Sequence, residues 1–398
     1  MINSRTTHPH RRRPVVAALA GVAALLAVTL TACGGSSSSS AATADGLKPL
    51  VIGIPSPAVT VFSANYAIGQ YLGCYKRYGY SMSTVVTTNP VQLVAAFHRD
   101  AVDVGVPGSD QFLNMLSTID SSGGGLPLKA FYELDYPFKY GIAVKPGSSI
   151  HSLADLKGKT VGVDVLSDSS AATFKALLKD NGVDPNSVHI IASGVGAASG
   201  EALDSSKIDA LFYYDVGYGT ILQAGINLRF LTINGKPPHL NVSGILAVAN
   251  SDDLSSDKAK FQAFTQCTTE GDIFINANPA AAAYIMLKMY PALGKAGAPL
   301  EQQISGLELP LMLRAKLLQS TDASGPAYGP ISTDEFAQDS AILLNGKSPS
   351  DVSSIYTNDL VPDLTAAQVS AVQEQAKKFT IPGITGQVPV PRVPANAP

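Results

Sequence analysis

SLADLKGKTVGV, residues 152–163, is the segment from which the architecture of this chain is most directly inferred. It predicts a short capped helix and then a turn closed by Gly158, because glycine readily adopts the left-handed backbone found after helix ends. The apolar run at 160–163 predicts a buried strand. A helix, a glycine turn and a buried strand in this order indicate an α/β protein.

Short apolar runs and amphipathic stretches alternate on both sides of this segment, which predicts parallel sheets with right-handed crossovers. Strands are predicted at 50–54, 84–88, 102–106, 128–132, 138–144, 160–163, 188–191, 210–213, 228–233 and 244–249. Helices are predicted between them, beginning with one at 63–77, and beyond residue 249 the pattern predicts helices only. Asp103 and Asp209 each open a strand that ends in polar residues, so the two halves of the chain are faintly alike.

The N-terminus has the pattern of a targeting segment. A basic stretch ends at Arg13, an apolar run follows at 15–30, and Leu30-Thr31-Ala32-Cys33 leads into a Gly/Ser linker. This predicts a signal peptide at 1–32. It also resembles the lipobox of bacterial lipoproteins, in which the cysteine is lipidated and becomes the new N-terminus. The resemblance implies an extracytoplasmic protein tethered to the membrane through Cys33 and a flexible linker over 33–46.

Two alternatives remain for this N-terminal segment. The first is an ordinary secretory peptide with an incidental cysteine, and the second is a transmembrane anchor. The apolar run is shorter than the ~20 residues that a spanning helix needs, which favours the lipoprotein.

Charge and length narrow the classes of function. The first 32 residues hold four arginines and no acid, so the chain after them has 24 Lys and Arg against 31 Asp and Glu, a net charge of −7. A mildly acidic chain without a basic cluster is a poor nucleic-acid binder. The part at 47–380 is too long for one ordinary core and predicts two domains or lobes. The Pro-rich segment at 381–398 predicts an extended tail.

Three cysteines are present in the sequence. With Cys33 lipidated, Cys74 and Cys267 form an even pair in an oxidising compartment, and we expect a disulfide between them. Two buried free thiols are the alternative.

The segment at 152–163 closely resembles the one that opens the second lobe of type II periplasmic solute-binding proteins of ABC importers. The strand at Asp103 and the helix that begins at Asn278-Pro279 are similar to those of one branch, the NMT1/THI5-like or SsuA-like family. This family contains binders of nitrate, taurine, aliphatic sulfonates and thiamine pyrimidines. The resemblance covers about 47–345.

The resemblance implies a two-lobed α/β fold, in which each lobe is a mostly parallel sheet flanked by helices. Lobe 1 would comprise 47–142 and 244–380, and lobe 2 would comprise 143–243. Two crossing segments near 141–144 and 242–246 would act as hinges, and the lobes would close around a ligand. A receptor of this kind captures a small solute and delivers it to an ABC permease with its ATPase, and we expect it to be a monomer.

Ligands of open α/β sheets lie beyond the carboxyl ends of the strands, so the loops there supply the candidate ligand-binding residues. They are Ser56, Pro57, Thr60, Ser109, Asp110, Tyr132, Asp135, Asp168, Ser169, Ser170, Ser193, Tyr213, Tyr214 and Asp215. Serine hydroxyls and backbone N–H groups at a helix start can hold an anion. The alternative uses are helix capping for the serines and aspartates, and packing between lobes for the tyrosines.

The charges in these loops favour one class of ligand. Glu133 joins the four candidate aspartates, and no arginine occurs in the loops. An oxyanion usually recruits an arginine fork or a lysine, whereas tyrosine faces accept cations. We therefore expect a nitrogenous solute, neutral or cationic, such as a pyrimidine or an amine. A sulfonate or taurine-type anion is the alternative.

Catalytic and metal-binding patterns are missing from the sequence. His98, His151, His189 and His239 are scattered without metal-ligand spacing, and no nucleophile elbow, P-loop or dinucleotide fingerprint occurs in a suitable setting. We expect a binding protein rather than an enzyme, with no cofactor and no metal. A lipoprotein sensor that binds a ligand without import is the remaining alternative.

Overall fold

The computed structural model describes residues 45–56, 58–122, 125–136, 138–166, 169–240, 242–322, 325–343, 352–385, 388 and 391–398. Residues 40–398 form one compact unit, to which every element described below belongs. The predicted signal peptide and Cys33 lie outside the described residues. Over the described ranges, no helix combines the length and the apolar character needed to cross a membrane.

Strands and helices alternate up to residue 250, and helices dominate after it. The strands are β1 (Lys48–Ile54), β2 (Tyr80–Val86), β3 (Val104–Gly105), β4 (Leu128–Glu133), β5 (Tyr140–Val144), β6 (Thr160–Val163), β7 (His189–Ala192), β8 (Ala210–Tyr214), β9 (Arg229–Phe230), β10 (Leu246–Asn250), β11 (Ser320–Asp322) and β12 (Gly325–Ala327). The helices are α1 (Ala64–Tyr71), α2 (Cys74–Arg77), α3 (Pro90–Phe97), α4 (Ser109–Ser122), α5 (Ser169–Asp180), α6 (Ala197–Asp204), α7 (Asp215–Gln223), α8 (Ser251–Ser256), α9 (Lys258–Ala277), α10 (Pro279–Met289), α11 (Leu300–Ala315), α12 (Thr333–Leu343) and α13 (Ala366–Lys378). Short 3-10 turns lie at Val61–Ser63, Ala154–Leu156, Pro185–Ser187, Pro291–Leu293 and Val352–Ile355.

Two five-stranded sheets with the same plan organise the chain into two lobes. The first sheet, in lobe 1, has the order β2-β1-β3-β10-β4, and the second, in lobe 2, has the order β7-β6-β8-β5-β9. The first three strands of each sheet are parallel. The fourth strand, β10 or β5, runs antiparallel to both its neighbours. In each sheet this antiparallel strand is the one that arrives from the other lobe.

The chain crosses between the sheets twice within this strand order. It leaves the first sheet between β4 and β5 and returns to it between β9 and β10. Residues 141–144, which we expected near the first crossing, lie inside β5, and the crossing precedes them. They belong to lobe 2 because β5 pairs with β8 and β9 and is buried throughout.

An aspartate ties two parallel strands together in each sheet. Asp103, just before β3, accepts a hydrogen bond from the N–H of Val51 at 2.7 Å. Asp209, just before β8, accepts one from the N–H of Thr160 at 2.8 Å. Since β3 and β8 occupy the same position in the two sheets, the faint likeness of the two halves in sequence corresponds to a shared local structure.

The segment at 152–163 forms the turn and strand that its sequence predicts. Its helical part is a single 3-10 turn, in which Asp155 accepts hydrogen bonds from the N–H groups of His151 and Ser152, both at 2.9 Å. These hydrogen bonds lower the pKa of Asp155. Gly158 has a φ of 74°, and β6 follows with its last three residues buried.

Several elements differ from the sequence prediction, and the clearest differences are a divided helix and an additional hairpin. The helix expected at 63–77 is divided into α1 and α2, because the chain turns at Gly73, whose φ of 74° is incompatible with a continuing helix. A small hairpin of β11 and β12 interrupts the region where helices alone were expected. Its strands are three residues long, too short to give a clear alternating pattern.

A disulfide joins Cys74 of α2 to Cys267 of α9, as their parity in the sequence suggested. The two Cα atoms are 5.6 Å apart, and both residues are fully buried in the core of lobe 1. The bond therefore fixes the long helix α9 to the edge of the first sheet, because α2 leads directly into β2.

Candidate functional site

A cavity of about 620 Å³ lies between the lobes, at the carboxyl ends of the parallel strands. We call it the cleft. Lobe 1 and the crossing segments provide one group of its described lining residues: Ile54, Pro55, Ser56, Ala58, Thr60, Phe62, Ser63, Tyr66, Thr88, Asn89, Pro90, Val106, Gly108, Asp110, Gln111, Leu134, Lys139 and Ile245. Lobe 2 provides Tyr140, Asp164, Val195 and Tyr214. Its volume lies within the usual range for sites of small organic ligands and cofactors.

The lobe 1 wall is built on the loop after β1. Thr60 begins a 3-10 turn, and its side chain accepts a hydrogen bond from the N–H of Phe62. The hydroxyl of Tyr66 donates to Ser63 Oγ at 2.6 Å, and Ser56 Oγ donates to the carbonyl of Ala58 at 3.0 Å. These local bonds fix the loop so that its apolar side chains form the cleft surface.

Two helix starts complete this wall. Asn89 caps α3 by accepting from the N–H of Gln92 at 2.9 Å, with Pro90 at the first helical position. At the start of α4, the N–H of Gly108 donates to the side chain of Gln111 at 3.2 Å, and the half-buried Asp110 faces the cavity.

The lobe 2 wall is centred on Tyr214, at the end of β8. Its ring stacks on that of Tyr213 with a centroid separation of 4.5 Å, and it meets the ring of Phe62 from lobe 1 at 5.8 Å. Burial raises the pKa of Tyr214, so its phenol stays neutral. Asp164, after β6, also lines the cavity and accepts a hydrogen bond from Ser170 Oγ at 2.7 Å.

Three charged side chains line the described part of the cleft: Asp110, Asp164 and Lys139. Lys139 was not among the residues selected from the sequence, because it lies in the crossing before β5 rather than at the end of a parallel strand. Its ammonium nitrogen is 5.9 Å from the ring centroid of Tyr140. The cleft thus combines two carboxylates and one ammonium group with an aromatic and aliphatic interior.

The structure brings only part of the selected residues to the cleft. Ser56, Thr60, Asp110 and Tyr214 line it. Pro57 and Asp168 lie outside the described residues, as does the side chain of Ser169. The others do not line the cavity and have internal partners: Ser109, Tyr132, Asp135, Ser170, Ser193, Tyr213 and Asp215.

Each residue of this last group uses its polar atoms within the protein. Ser109 Oγ donates to the carbonyl of Ser243 at 3.0 Å, and Ser193 Oγ to that of Val163 at 2.9 Å. The Tyr132 hydroxyl shares a hydrogen bond with Thr269 Oγ1 at 2.8 Å. The Tyr213 hydroxyl accepts from the N–H of Gly196 at 2.7 Å. These side chains support the walls of the cleft.

Asp135 and Asp215 belong to a buried charged cluster behind the cleft, centred on Arg314 of α11. The guanidinium group forms ion pairs with Asp135, in the first crossing, and with Asp215, the first residue of α7, at 2.8 Å. All three side chains are at most 4% exposed. Arg314 is 99 residues from Asp215 in sequence, which is why a search restricted to strand ends misses it.

Carboxylates also hold the returning crossing, just before β10. The N–H groups of Ser243, Gly244 and Ile245 donate to Asp339, Glu133 and Asp135 at 2.9, 2.7 and 2.6 Å. A Cβ atom on Gly244 would lie 1.9 Å from an oxygen of Asp135, so this approach requires glycine. Burial raises the pKa of Asp339 to about 7 and that of Glu133 well above its ordinary value.

Within the described ranges, no group of three or more His, Cys, Asp or Glu side chains has an arrangement that could hold a metal ion. Asp164 of the cleft instead accepts a hydrogen bond from Ser170, and Asp135 and Asp215 pair with Arg314.

The sequence profile of the NMT1/THI5-like family matches residues 62–282, more than half of the chain. The chain belongs to the NMT1/THI5-like family. A search of curated proteins with this sequence finds no match.

Solved structures of similar fold agree with this membership. The periplasmic aliphatic sulphonate-binding protein SsuA of Escherichia coli has a TM-score of 0.54 and 19% identity, covering 75% of this chain and 91% of its own. The periplasmic sulfonate-binding protein SsuA of Methylobacillus flagellatus KT has a TM-score of 0.54 and 14% identity, covering 83% and 95%. This NMT1/THI5-like chain has the two-lobed α/β fold of type II periplasmic binding proteins.

Proposed function

We propose that this protein is the extracytoplasmic solute-binding receptor of an ABC importer, which delivers a small solute to a permease with its ATPase. One observation carries the proposal: the cleft takes its walls from both lobes, and Phe62 of lobe 1 meets Tyr214 of lobe 2 across it. A solute that touches both walls stabilises the closed arrangement through its contacts with each. The binding proteins of similar fold support this assignment.

The N-terminal sequence supports the location. Signal peptide, Cys33 and Gly/Ser linker together fit a lipoprotein that is anchored at the outer face of the cell membrane. We propose a fatty-acylated Cys33, such as a palmitate-bearing one, and a monomeric receptor domain.

The solute that we propose is nitrogenous and neutral or cationic, with a flat apolar part such as a pyrimidine ring. The rings of Phe62, Tyr140 and Tyr214 offer faces for such a part, and Asp110 and Asp164 offer acceptors for N–H groups. The cavity is also much larger than a nitrate ion requires. We propose binding without catalysis, since Ser56 and Ser63 are engaged with Ala58 and Tyr66 rather than with a general base.

A second candidate is a sulfonate or taurine-type anion. Lys139 lines the cleft and places an ammonium group where a sulfonate could bind. The binding proteins of similar fold named above are sulfonate binders, which adds weight to this alternative.

A thermal-shift screen of residues 40–398 tests the proposal. The panel holds thiamine and its pyrimidine precursor, polyamines, riboflavin, taurine, alkanesulfonates and nitrate. Ligand at 100 times its Kd adds about 2.7 kcal/mol to the free energy of unfolding, so a true ligand raises Tm in a dose-dependent way. If no compound raises Tm, the classes of solute proposed here are wrong.

Two matched variants then separate the candidates in calorimetric titrations. Asp110→Asn weakens a cationic solute at least several-fold, because it removes a charge of opposite sign, while Lys139→Gln leaves that solute bound or strengthens it. An anionic solute gives the reverse pattern. An amine that binds equally to both variants would contradict the role of the cleft charges.

A further inference from the structure

Helix α11 is shared by the cores of both lobes. Leu311 packs in the main core of lobe 1, whereas Leu313, two residues later, packs with Tyr213 and Tyr218 in a core of lobe 2. The same helix lies against α7, where a Cβ atom on Gly219 would be 2.6 Å from Pro310 Cα. The helix therefore connects the lobes at the back of the cleft, in addition to the two crossings.

The side chain of Arg314, in α11, contributes to this connection by contacting residues of both lobes. It pairs with Asp135 in the first crossing and with Asp215 at the start of α7, in lobe 2. Its guanidinium carbon lies 4.3 Å from the ring centroid of Phe62, in lobe 1. One group therefore touches both lobes and a crossing segment.

These partners adjoin the two aromatic residues that meet across the cleft. Phe62 contacts Arg314 directly, and Tyr214 immediately precedes Asp215 in the chain. A change in the pairing of Arg314 with Asp215 would move the start of α7, and with it Tyr214. The pairing behind the cleft is thus mechanically linked to the cleft surface.

We propose that Arg314 is an interlobe latch, a positioning residue that holds the lobes together in the unliganded protein and sets the positions of Phe62 and Tyr214. The guanidinium group suits this role because its planar array of donors bonds two carboxylates at once, which a lysine ammonium group does less well. The latch goes beyond solute capture, since it acts before any solute is bound.

Distances between spin labels on the two lobes test the latch in residues 40–398 without solute. The labels are attached through cysteines introduced at Val91 and Leu166, whose side chains are exposed on lobe 1 and lobe 2. Cys74 and Cys267 stay joined and do not react. We expect Arg314→Lys and Asp215→Asn each to lower the ratio of short to long distances by roughly 5- to 150-fold, the usual range of coupling between sites.

The matched control is Arg77→Lys, because Arg77 pairs with Glu270 inside lobe 1. It should leave the distances unchanged. The double variant of Arg314 and Asp215 should open less than the sum of the two single effects predicts, since the two substitutions share the Arg314–Asp215 contact. Circular dichroism establishes that each variant is folded, and Asp215→Asn alone carries the test if Arg314→Lys does not fold.

Unchanged distances in folded Asp215→Asn would overturn the latch, even with a lower Tm, because a purely stabilising ion pair predicts that result. The distance between the spin labels is measured without solute, so a failed ligand screen does not affect the test of the latch. An unchanged distance likewise leaves the ligand screen standing.

Discussion

The carboxylates of the cleft and those behind it occupy similar places in the topology but have opposite surroundings. Asp110 and Asp164 follow parallel strands and line the cleft. Asp135 and Asp215 also follow strands, yet they are at most 2% exposed and pair with Arg314. The difference comes from α11, which places the guanidinium group of Arg314 beside Asp135 and Asp215. The described residues of this helix supply no such cation to the two acids of the cleft.

The comparison shows that a strand end predicts proximity to the cleft, but not contact with a ligand. Whether an acid there is available depends on which elements from later in the chain cover it. In this protein α11 covers Asp135 and Asp215 through Arg314, and α12 places the buried Asp339 against the returning crossing. The cleft acids should therefore control binding, and the covered acids should control stability and lobe position.

The largest expected effect is on stability, from removing the cation that pairs the covered acids. Arg314→Met leaves the buried carboxylates of Asp135 and Asp215 without their cation, which typically costs about 3–5 kcal/mol. Urea unfolding followed by far-UV circular dichroism measures the loss, as the chain has no tryptophan for fluorescence.

The control for this prediction is Arg77→Met, because the Arg77 side chain is 52% exposed where it pairs with Glu270. We expect it to cost less than about 1 kcal/mol. Equal losses in the two variants would remove the distinction between covered and exposed acids.

An intermediate effect is expected from pH. Burial raises the pKa of Asp339 to about 7, from the ordinary value of 3.8, so the folded protein holds a proton that the unfolded chain releases. This contribution to stability is complete below about pH 4 and is lost as the pH rises through 7. We expect a loss on the order of 3 kcal/mol from this carboxyl between pH 4.5 and 8.

Asp339→Asn tests the pH prediction, because an amide oxygen can still accept from the N–H of Ser243 but carries no charge. The free energy of unfolding of this variant should fall less steeply between pH 4.5 and 8 than that of the unsubstituted protein. Asp164→Asn, on the lobe 2 wall of the cleft, is the matched substitution and should keep the original slope. Parallel curves for the unsubstituted protein and Asp339→Asn would contradict the assignment.

The smallest effect on stability is expected in the cleft itself. Asp110→Asn should change the free energy of unfolding by less than about 0.5 kcal/mol, because the substitution leaves no buried cation without its partner. Denaturation of this variant beside Arg314→Met measures the contrast directly. A loss above 2 kcal/mol would place Asp110 with the covered acids.

Much of the fold could be inferred from the sequence because the strands are short, apolar and regularly spaced. The segment at 152–163 forms a turn and β6 as predicted, and the two aspartates that open strands mark equivalent positions in the two sheets. The first crossing was placed too late, because an apolar strand such as β5 gives no indication of which sheet it joins.

The candidate site was predicted less completely, for a reason that concerns long-range contacts. Ser56, Thr60, Asp110 and Tyr214 line the cleft, since they depend only on strand ends. Lys139, which lines the cleft, and Arg314, which lies behind it, were missed because they come from a crossing segment and from a helix beyond residue 300. No local pattern in the sequence records such a contact.

The disulfide also has a consequence for how the chain is connected. Cys74 and Cys267 are 193 residues apart, and all of lobe 2 lies between them. The chain from Cys74 to Cys267, together with the disulfide, therefore forms a closed covalent ring. This ring contains the whole second lobe, whereas the disulfide itself lies in the first lobe. A single proteolytic cut anywhere in the second lobe would open the ring without releasing a fragment. The nicked halves would stay tethered until a reductant separated them.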